Sequence, residues 1–162
     1  MQEELQKEKS RLVEKLGVHF ENIDNLAPVA ARILAYVILT GKQGTTFEDL
    51  VSNLCASKST ISTHLNHLYD LKKLEYFTKT GDRKKYYIIN HATMLQGIQK
   101  LLNEWKEQKE LHAEIIDFKR EVNTTLEKEV KFSLDFHEDY MTFLNGAINA
   151  ITTLKNKIVE NE

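Results

Sequence analysis

The sequence has 162 residues, of which 41% are hydrophobic and 28% charged, and its formal net charge is −2. One proline and 6 glycines are too few for the many turns of a sandwich, a barrel or a doubly wound sheet. No apolar run approaches the roughly 18 residues that a membrane helix needs, and the charged start MQEELQKEKS is unlike a signal peptide. The single cysteine, Cys55, excludes an internal disulfide. We therefore expect a mostly helical, cytoplasmic protein.

Charge is distributed unevenly along the chain. Residues 57–90 carry 7 Lys/Arg against 3 Asp/Glu, a net charge of +4, whereas residues 91–162 carry 9 against 13. Local fields, rather than the net charge, govern the binding of polyanions. Any nucleic-acid site is therefore expected within residues 57–90.

The N-terminal segment, residues 1–25, is predicted to be a helix. Leu5, Leu12 and Leu16 form a narrow apolar stripe that is surrounded by charge. Gly17 and the polar residues after it are expected to end the helix. A stripe this narrow predicts that the helix packs on the C-terminal helical region that forms the dimer, with a partner chain included.

Three helices are predicted in the next part of the chain. Pro28 suits the first turn of a buried helix that ends at Gly41. The segment 46–49, TFED, has the pattern of a capping box and begins a helix of about eight residues. Ser57 is a good N-cap for a third helix that runs to about Leu74. Two short helices joined by a tight turn are typical of a helix-turn-helix.

A β-hairpin is predicted after the helix-turn-helix. EYFTKT and KYYII alternate and are rich in aromatic and β-branched residues, and GDRK between them has the composition of a turn. Residues 26–90 are therefore predicted to form a winged helix-turn-helix domain.

The helical period returns at about His91. Apolar residues keep a spacing of three to four as far as Val130, which predicts a helix of about 60 Å. A second helix is expected after a break near 133–135. The apolar faces of these two helices are larger than the winged helix can cover. Residues 91–162 are therefore predicted to mediate dimerisation. The alternative is a helical hairpin that packs on its own domain.

One face of the third helix is predicted to read DNA. On a helical wheel Ile61, Leu65 and Leu68 define the buried side. Short hydroxyl and amide side chains on the outward side allow close approach to the major groove, and the first residues of the helix suit phosphate. The alternative is an ordinary solvated face. The residues of this predicted surface are Ser57, Lys58, Ser59, Thr60, Ser62, Thr63, Asn66 and His67.

The hairpin tip is basic and is predicted to contact the DNA backbone or the minor groove. Gly81 and Asp82 make the turn. Arg83 is expected in the minor groove because narrow grooves favour arginine, and Asp82 is expected to hold it by an ion pair. The alternative is a charged tip that only maintains solubility. The basic residues of the tip are Lys79, Arg83, Lys84 and Lys85.

The segments SKSTISTHLNHLYDLKKLEYF and TGDRKKYYII, followed by a long helical tail, resemble winged-helix transcription regulators of the MarR superfamily, and they are most similar to its GbsR-type branch. The resemblance implies a homodimer on a pseudo-palindromic operator, with recognition helices in successive major grooves. Asp82 and Arg83 fit the wing pattern of that superfamily. The two long C-terminal helices depart from it, since the first and last helices interleave in many members.

Other chemistry has little support in the sequence. His64 and His67 are three positions apart but lie on different sides of the helix, so we expect no metal there. Cys55 is expected to be a small buried thiol in the turn, and a redox role would need a partner cysteine. No phosphate-binding glycine loop, nucleophile elbow or HExxH motif is present. The sequence predicts no enzyme, no cofactor and no metal.

The predicted function is therefore a sequence-specific, homodimeric, DNA-binding transcriptional regulator, more specifically a repressor. Its partners would be a double-stranded operator and a second copy of the chain, and any small-molecule effector is unknown. The alternative is a winged-helix scaffold for protein contacts that does not bind DNA. A scaffold has no need of a +4 charge on residues 57–90.

Overall fold

The computed structural model describes residues 1–160, which form helices and one two-stranded antiparallel sheet. The predicted fold class, mainly helical with a small hairpin, is confirmed. The described residues divide into two compact units, Met1–Thr93 and the residues from Met94 onward. The elements are α1 (Gln2–Asp24), α2 (Pro28–Thr40), α3 (Phe47–Asn53), α4 (Lys58–Asp70), β1 (Leu74–Thr78), β2 (Lys85–Ile89), α5 (His91–Asn123) and α6 (Asp135–Glu160).

Helix α2 lies at the centre of the first unit. Pro28 occupies its first turn, where the missing N–H has no intrahelical partner to lose. The helix ends at Gly41, as predicted, with φ at 70°. Each large apolar side chain removed from water contributes about 1.5–3 kcal/mol. The largest core residues around this helix are Ile33, Val37, Leu50, Ile61, Leu68 and Leu74.

Helix α1 continues past Gly17, so the prediction that this glycine ends the helix is wrong. Gly17 is buried, and a Cβ atom there would lie 2.9 Å from Arg32 Cγ. Arg32 is itself held by Glu14 and Glu21 of α1. Gly17 therefore allows close packing of two helices, and this outweighs its poor helix propensity. The helix ends about two turns later, at Asp24, with Asn25 in the left-handed conformation after it.

The apolar stripe predicted on α1 is not the side that packs on α2. Val13 is buried, Leu12 and Leu16 are half-buried, and Leu5 is exposed. Within this single chain α1 packs along α2. Its predicted contact with the C-terminal helices of a dimer stays a prediction.

Both predicted helix starts of the helix-turn-helix are confirmed. In the capping box of α3, Thr46 Oγ1 accepts a hydrogen bond from the Asp49 N–H at 3.2 Å, and Asp49 accepts one from the Thr46 N–H at 2.9 Å. At the start of α4, Ser57 Oγ accepts a hydrogen bond from the Thr60 N–H at 3.1 Å. Each cap satisfies a donor that the helix leaves free.

Helix α4 ends at Asp70, four residues earlier than predicted. Lys72 adopts a positive φ of 55°, and the Lys73 N–H then donates to the Leu68 carbonyl at 3.0 Å. This closes the helix end with backbone bonds instead of a glycine. Leu74, the expected last residue of the helix, is the first residue of β1.

In the second unit, α5 ends at Asn123, so its predicted continuation to Val130 is wrong. The Asn123 side chain donates to the Phe132 carbonyl at 2.9 Å and accepts from the Phe132 N–H at 2.7 Å, which closes a loop. The 33 residues of α5 span about 50 Å rather than 60 Å. Helix α6 begins at Asp135, within the predicted break. Among residues 1–160, no helix is both long and apolar enough to span a bilayer.

Candidate nucleic-acid interface

The outward side of α4 is the polar surface that the sequence predicts. Ile61, Leu65 and Leu68 are buried, which fixes the orientation of the helix. No acidic side chain occurs on α4 before Asp70. Thr60 is half-buried, while the other predicted residues of the helix face solvent: Lys58, Ser59, Ser62, Thr63, Asn66 and His67.

Hydroxyl groups at the start of α4 are partly engaged with one another. Ser57 Oγ lies 2.9 Å from Ser59 Oγ and 2.8 Å from Thr60 Oγ1, in addition to its capping bond. Thr63 Oγ1 donates to the Ser59 carbonyl at 3.0 Å. Within this structure Ser57 therefore serves as the N-cap of α4. Lys58 remains exposed beside the positive end of the helix dipole, a place that favours an anion.

The wing is anchored to the rest of the unit by its base. Tyr76 pairs with Tyr87, and Phe77 with Tyr86, in the antiparallel register. The Thr45 N–H donates to the Tyr87 carbonyl at 2.9 Å, and the Tyr87 N–H donates to the Thr45 carbonyl at the same distance. This bridge adds a third short segment to the hairpin. The wing therefore has a fixed base and a projecting tip.

The four predicted cations of the wing are all exposed, but they differ in their surroundings. Lys79 Nζ lies 3.8 Å from the centroid of the Tyr86 ring, and Lys85 Nζ lies 4.1 Å from that of Tyr76. Such contacts contribute about 0.5–1 kcal/mol at exposed sites and hold the ammonium groups along the strands. The two cations at the turn itself are Arg83 and Lys84.

Asp82 does not bind Arg83, so the predicted ion pair is wrong. Its carboxylate accepts hydrogen bonds from the Tyr86 hydroxyl at 2.7 Å and from the Lys84 N–H at 2.9 Å. The bond from Tyr86 is the larger cause that lowers the pKa of Asp82, and the same bond raises the pKa of Tyr86. The turn directs the carboxylate along β2 instead of toward the neighbouring guanidinium. Arg83 has no ion pair within the part of the chain that is described.

A row of tyrosines connects α4 to the wing, and sequence reasoning missed it. Tyr69 lies in the last turn of α4, with its ring centroid 5.6 Å from that of Tyr76. Tyr76 in turn lies 5.9 Å from Tyr87. The row links the wing to the end of α4. Strand alternation in EYFTKT and KYYII was the available signal, since it places Tyr76 and Tyr87 on one face.

Cys55 and the pair His64 and His67 are the other residues that the sequence singled out. Cys55 is exposed, with φ at 50°, so the expectation of a buried thiol is wrong. Its neighbours Leu54 and Ala56 pack against the core, and Cys55 lies in the turn between them. His67 is exposed and His64 half-buried. Among residues 1–160, no three His, Cys, Asp or Glu side chains form a group that could hold a metal ion.

Comparison with known proteins supports the fold. A solved structure described as a transcriptional regulator superposes on 94% of this chain and 99% of its own, with a TM-score of 0.51 and 19% sequence identity. The chain has the winged-helix fold of transcription regulators. No protein-family model matches the sequence.

A curated relative matches the winged-helix chain in sequence. It is the HTH-type transcriptional regulator MmpR5 of Mycobacterium tuberculosis, 26% identical over 99 residues. The match covers 61% of this chain and 59% of that relative. The similarity thus extends over less than two thirds of the relative's length.

Proposed function

We propose that this chain is a sequence-specific DNA-binding transcriptional regulator that acts as a homodimeric repressor. The observation that carries the proposal is that an exposed polar face of α4, without an acidic side chain before Asp70, and a basic wing tip occur in the same compact unit. Similarity to a named transcriptional regulator supports it. Such a regulator would act in the cytoplasm, on a chromosome. The recognition-helix and wing motifs favour the MarR superfamily, and within it the GbsR-type branch.

The proposed contacts follow from exposure and chemistry. Small hydroxyl and amide groups in the major groove can hydrogen-bond base edges, while cations neutralise phosphates. Arg83 would enter the minor groove, and Lys58 and Lys84, with the capped start of α4 at Ser57, would contact phosphates. Lys79 and Lys85 would add to the field along the strands. The proposed base-reading residues are Ser59, Thr60, Ser62, Thr63, Asn66 and His67.

The proposed dimer would form through residues 91–162, whereas residues 26–90 would bind DNA. Phe118 on α5 and Phe136 and Phe143 on α6 are 62%, 69% and 58% exposed. Phe136 and Phe143 both stack on Tyr140, with ring centroids 5.9 and 5.8 Å from it, and large contiguous apolar patches on a surface mark interaction sites. A two-fold dimer would also place two recognition helices at half-sites about 34 Å apart. Sedimentation equilibrium should give twice the chain mass, and a Phe143→Glu variant should shift toward the monomer.

Fluorescence anisotropy tests DNA binding directly. The probe is a duplex from upstream of the gene for this protein, compared with a scrambled duplex at two salt concentrations. If the operator lies there, the native duplex should bind at least about a thousandfold more tightly. Affinity should fall steeply as salt rises, because phosphate contacts release counterions.

Variants locate the contacts. Lys84→Ala should reduce the slope of log affinity against log salt by about one, because one phosphate contact is lost. Lys128→Ala is the matched control, since it removes the same charge from an exposed loop of the second unit and should leave the slope unchanged. Absence of binding to either duplex at low salt would contradict the proposal and favour a protein-interaction scaffold.

A further inference from the structure

We propose that Tyr86 is a positioning residue for DNA binding, which acts through Asp82 to hold the wing tip in its binding conformation. The pair is called the Asp82–Tyr86 bracket below. The inference rests on the proposed function and adds to it a residue with no charge and no direct contact with DNA.

The bracket joins the two ends of the tip. The Asp82 carboxylate accepts hydrogen bonds from the Tyr86 hydroxyl at 2.7 Å and from the Lys84 N–H at 2.9 Å. The Asp82 N–H donates to the Lys79 carbonyl at 3.0 Å, across Gly81 with its φ of 81°. Asp82 is therefore bonded both to the residue that follows β1 and to β2, and a hydrogen bond to a charged group is stronger than a neutral one.

Tyr86 is a fixed point from which the bracket can act. Its ring stacks on Phe77, with centroids 5.5 Å apart and planes 20° from parallel. Gly44 packs against the same residue, since a Cβ atom at position 44 would lie 2.7 Å from Tyr86 Cβ. Lys79 lies over the ring. These contacts fix the position of the Tyr86 ring and its hydroxyl at the base of the wing. The hydrogen bond to Asp82 then restricts the movement of the tip.

Asp82 is a negatively charged residue within a wing tip that is otherwise basic. A carboxylate in a surface that binds phosphate repels the ligand, so its presence needs a compensating role. Here the Asp82 carboxylate accepts its hydrogen bonds from the Tyr86 hydroxyl and the Lys84 N–H. Arg83 and Lys84, the two residues that follow it in the turn, form no ion pair with Asp82. DNA then meets these two cations without first breaking an ion pair.

A turn alone would not require this contact. The bond from Asp82 to the Lys84 N–H is local and forms in many turns that begin with aspartate. The bond to the Tyr86 hydroxyl reaches from the turn to the strand, so it fixes the direction of the tip relative to β2.

Tyr86→Phe removes one hydroxyl and keeps the ring on Phe77. The loss of one net hydrogen bond, about 1 kcal/mol, should reduce the population of the binding conformation of the tip and weaken DNA affinity by up to about fivefold. Tyr36→Phe is the matched control. It removes, from a half-buried tyrosine on α2, a hydroxyl that makes no hydrogen bond within residues 1–160 and keeps the ring beneath Lys9, so its affinity should match that of the wild type.

A double-mutant cycle separates positioning from a general effect on the fold. In a background with Arg83→Ala and Lys84→Ala, the turn itself has no cation left to position, so Tyr86→Phe should change affinity by less than about 1.5-fold. Equal losses in both backgrounds would overturn the proposal, as would an unchanged affinity of Tyr86→Phe in the otherwise wild-type chain. Failure of the wild type to bind any duplex would contradict the proposed function instead, and it would be seen first.

Discussion

Gly44 lies where the loop after α2 meets the wing, and its replacement should damage the first unit more than an ordinary glycine substitution. Its φ and ψ are 75° and 156°, a region of backbone space that only glycine adopts readily. A Cβ atom there would lie 2.7 Å from Tyr86 Cβ and 3.1 Å from a Phe77 ring carbon. Tyr86 Cβ is attached to a strand backbone and cannot move aside as a flexible side chain would.

The expected magnitude has two parts. Backbone strain in this region amounts to about 1–3 kcal/mol, and overpacking against the strand adds about 1–3 kcal/mol. Gly41→Ala isolates the first part, because Gly41 has φ and ψ of 70° and −148° and an added Cβ would have no atom within 4 Å. Gly44→Ala should therefore destabilise the unit by at least about 1 kcal/mol more than Gly41→Ala.

Urea unfolding measures both variants. Near-ultraviolet circular dichroism is suited to the first unit, because five of the 6 tyrosines of the chain lie in it. Gly44→Ala should also weaken DNA binding, since the clash displaces the strand that carries Tyr86. Equal free energies of unfolding for the two variants would refute the reasoning, because they would show that the close approach has no energetic effect.

Two further predictions concern a cap and a histidine. Thr46→Ala should reduce the free energy of unfolding by about 1–2 kcal/mol in urea titrations, whereas Thr46→Ser, which keeps the capping hydroxyl, should retain most of it. Burial, then Lys119 and His112, lower the pKa of His137, whose Nε2 and Nδ1 lie 2.9 Å from the Lys119 Nζ and the His112 Nδ1. Because protonation then favours the unfolded state, stability from His137 is present above about pH 6.5 and is lost as the pH falls below it. Melting temperatures between pH 7.5 and 5 should fall more steeply for the wild type than for His137→Gln, and parallel curves would contradict this.

The sequence predicts the features of this fold that local chemistry determines. Three of these features act on a backbone N–H within a few residues: the capping box at Thr46, the cap at Ser57 and the proline of α2. Their effect can therefore be predicted without tertiary structure. The alternation of the two strands likewise predicts the hairpin.

The wrong predictions share a cause in long-range contacts. Gly17 does not end α1, because it is the residue that allows Arg32, 15 positions away, to pack closely against this helix. The end of α5 carries no glycine or proline, and Asn123 closes it by bonding Phe132 across a loop that still has helical spacing. Asp82 binds a strand tyrosine instead of its neighbour, a choice that depends on the three-dimensional path of the turn.

Selection of duplexes from a random pool tests the central claim most directly, because it assumes no operator. The purified protein should enrich a two-fold symmetric consensus whose half-sites are about 10 base pairs apart, as a dimer with two recognition helices requires. The Asn66→Ala variant should enrich a consensus that is relaxed at one position in each half-site. A pool that stays random after repeated rounds at low salt would contradict sequence-specific DNA binding by this chain.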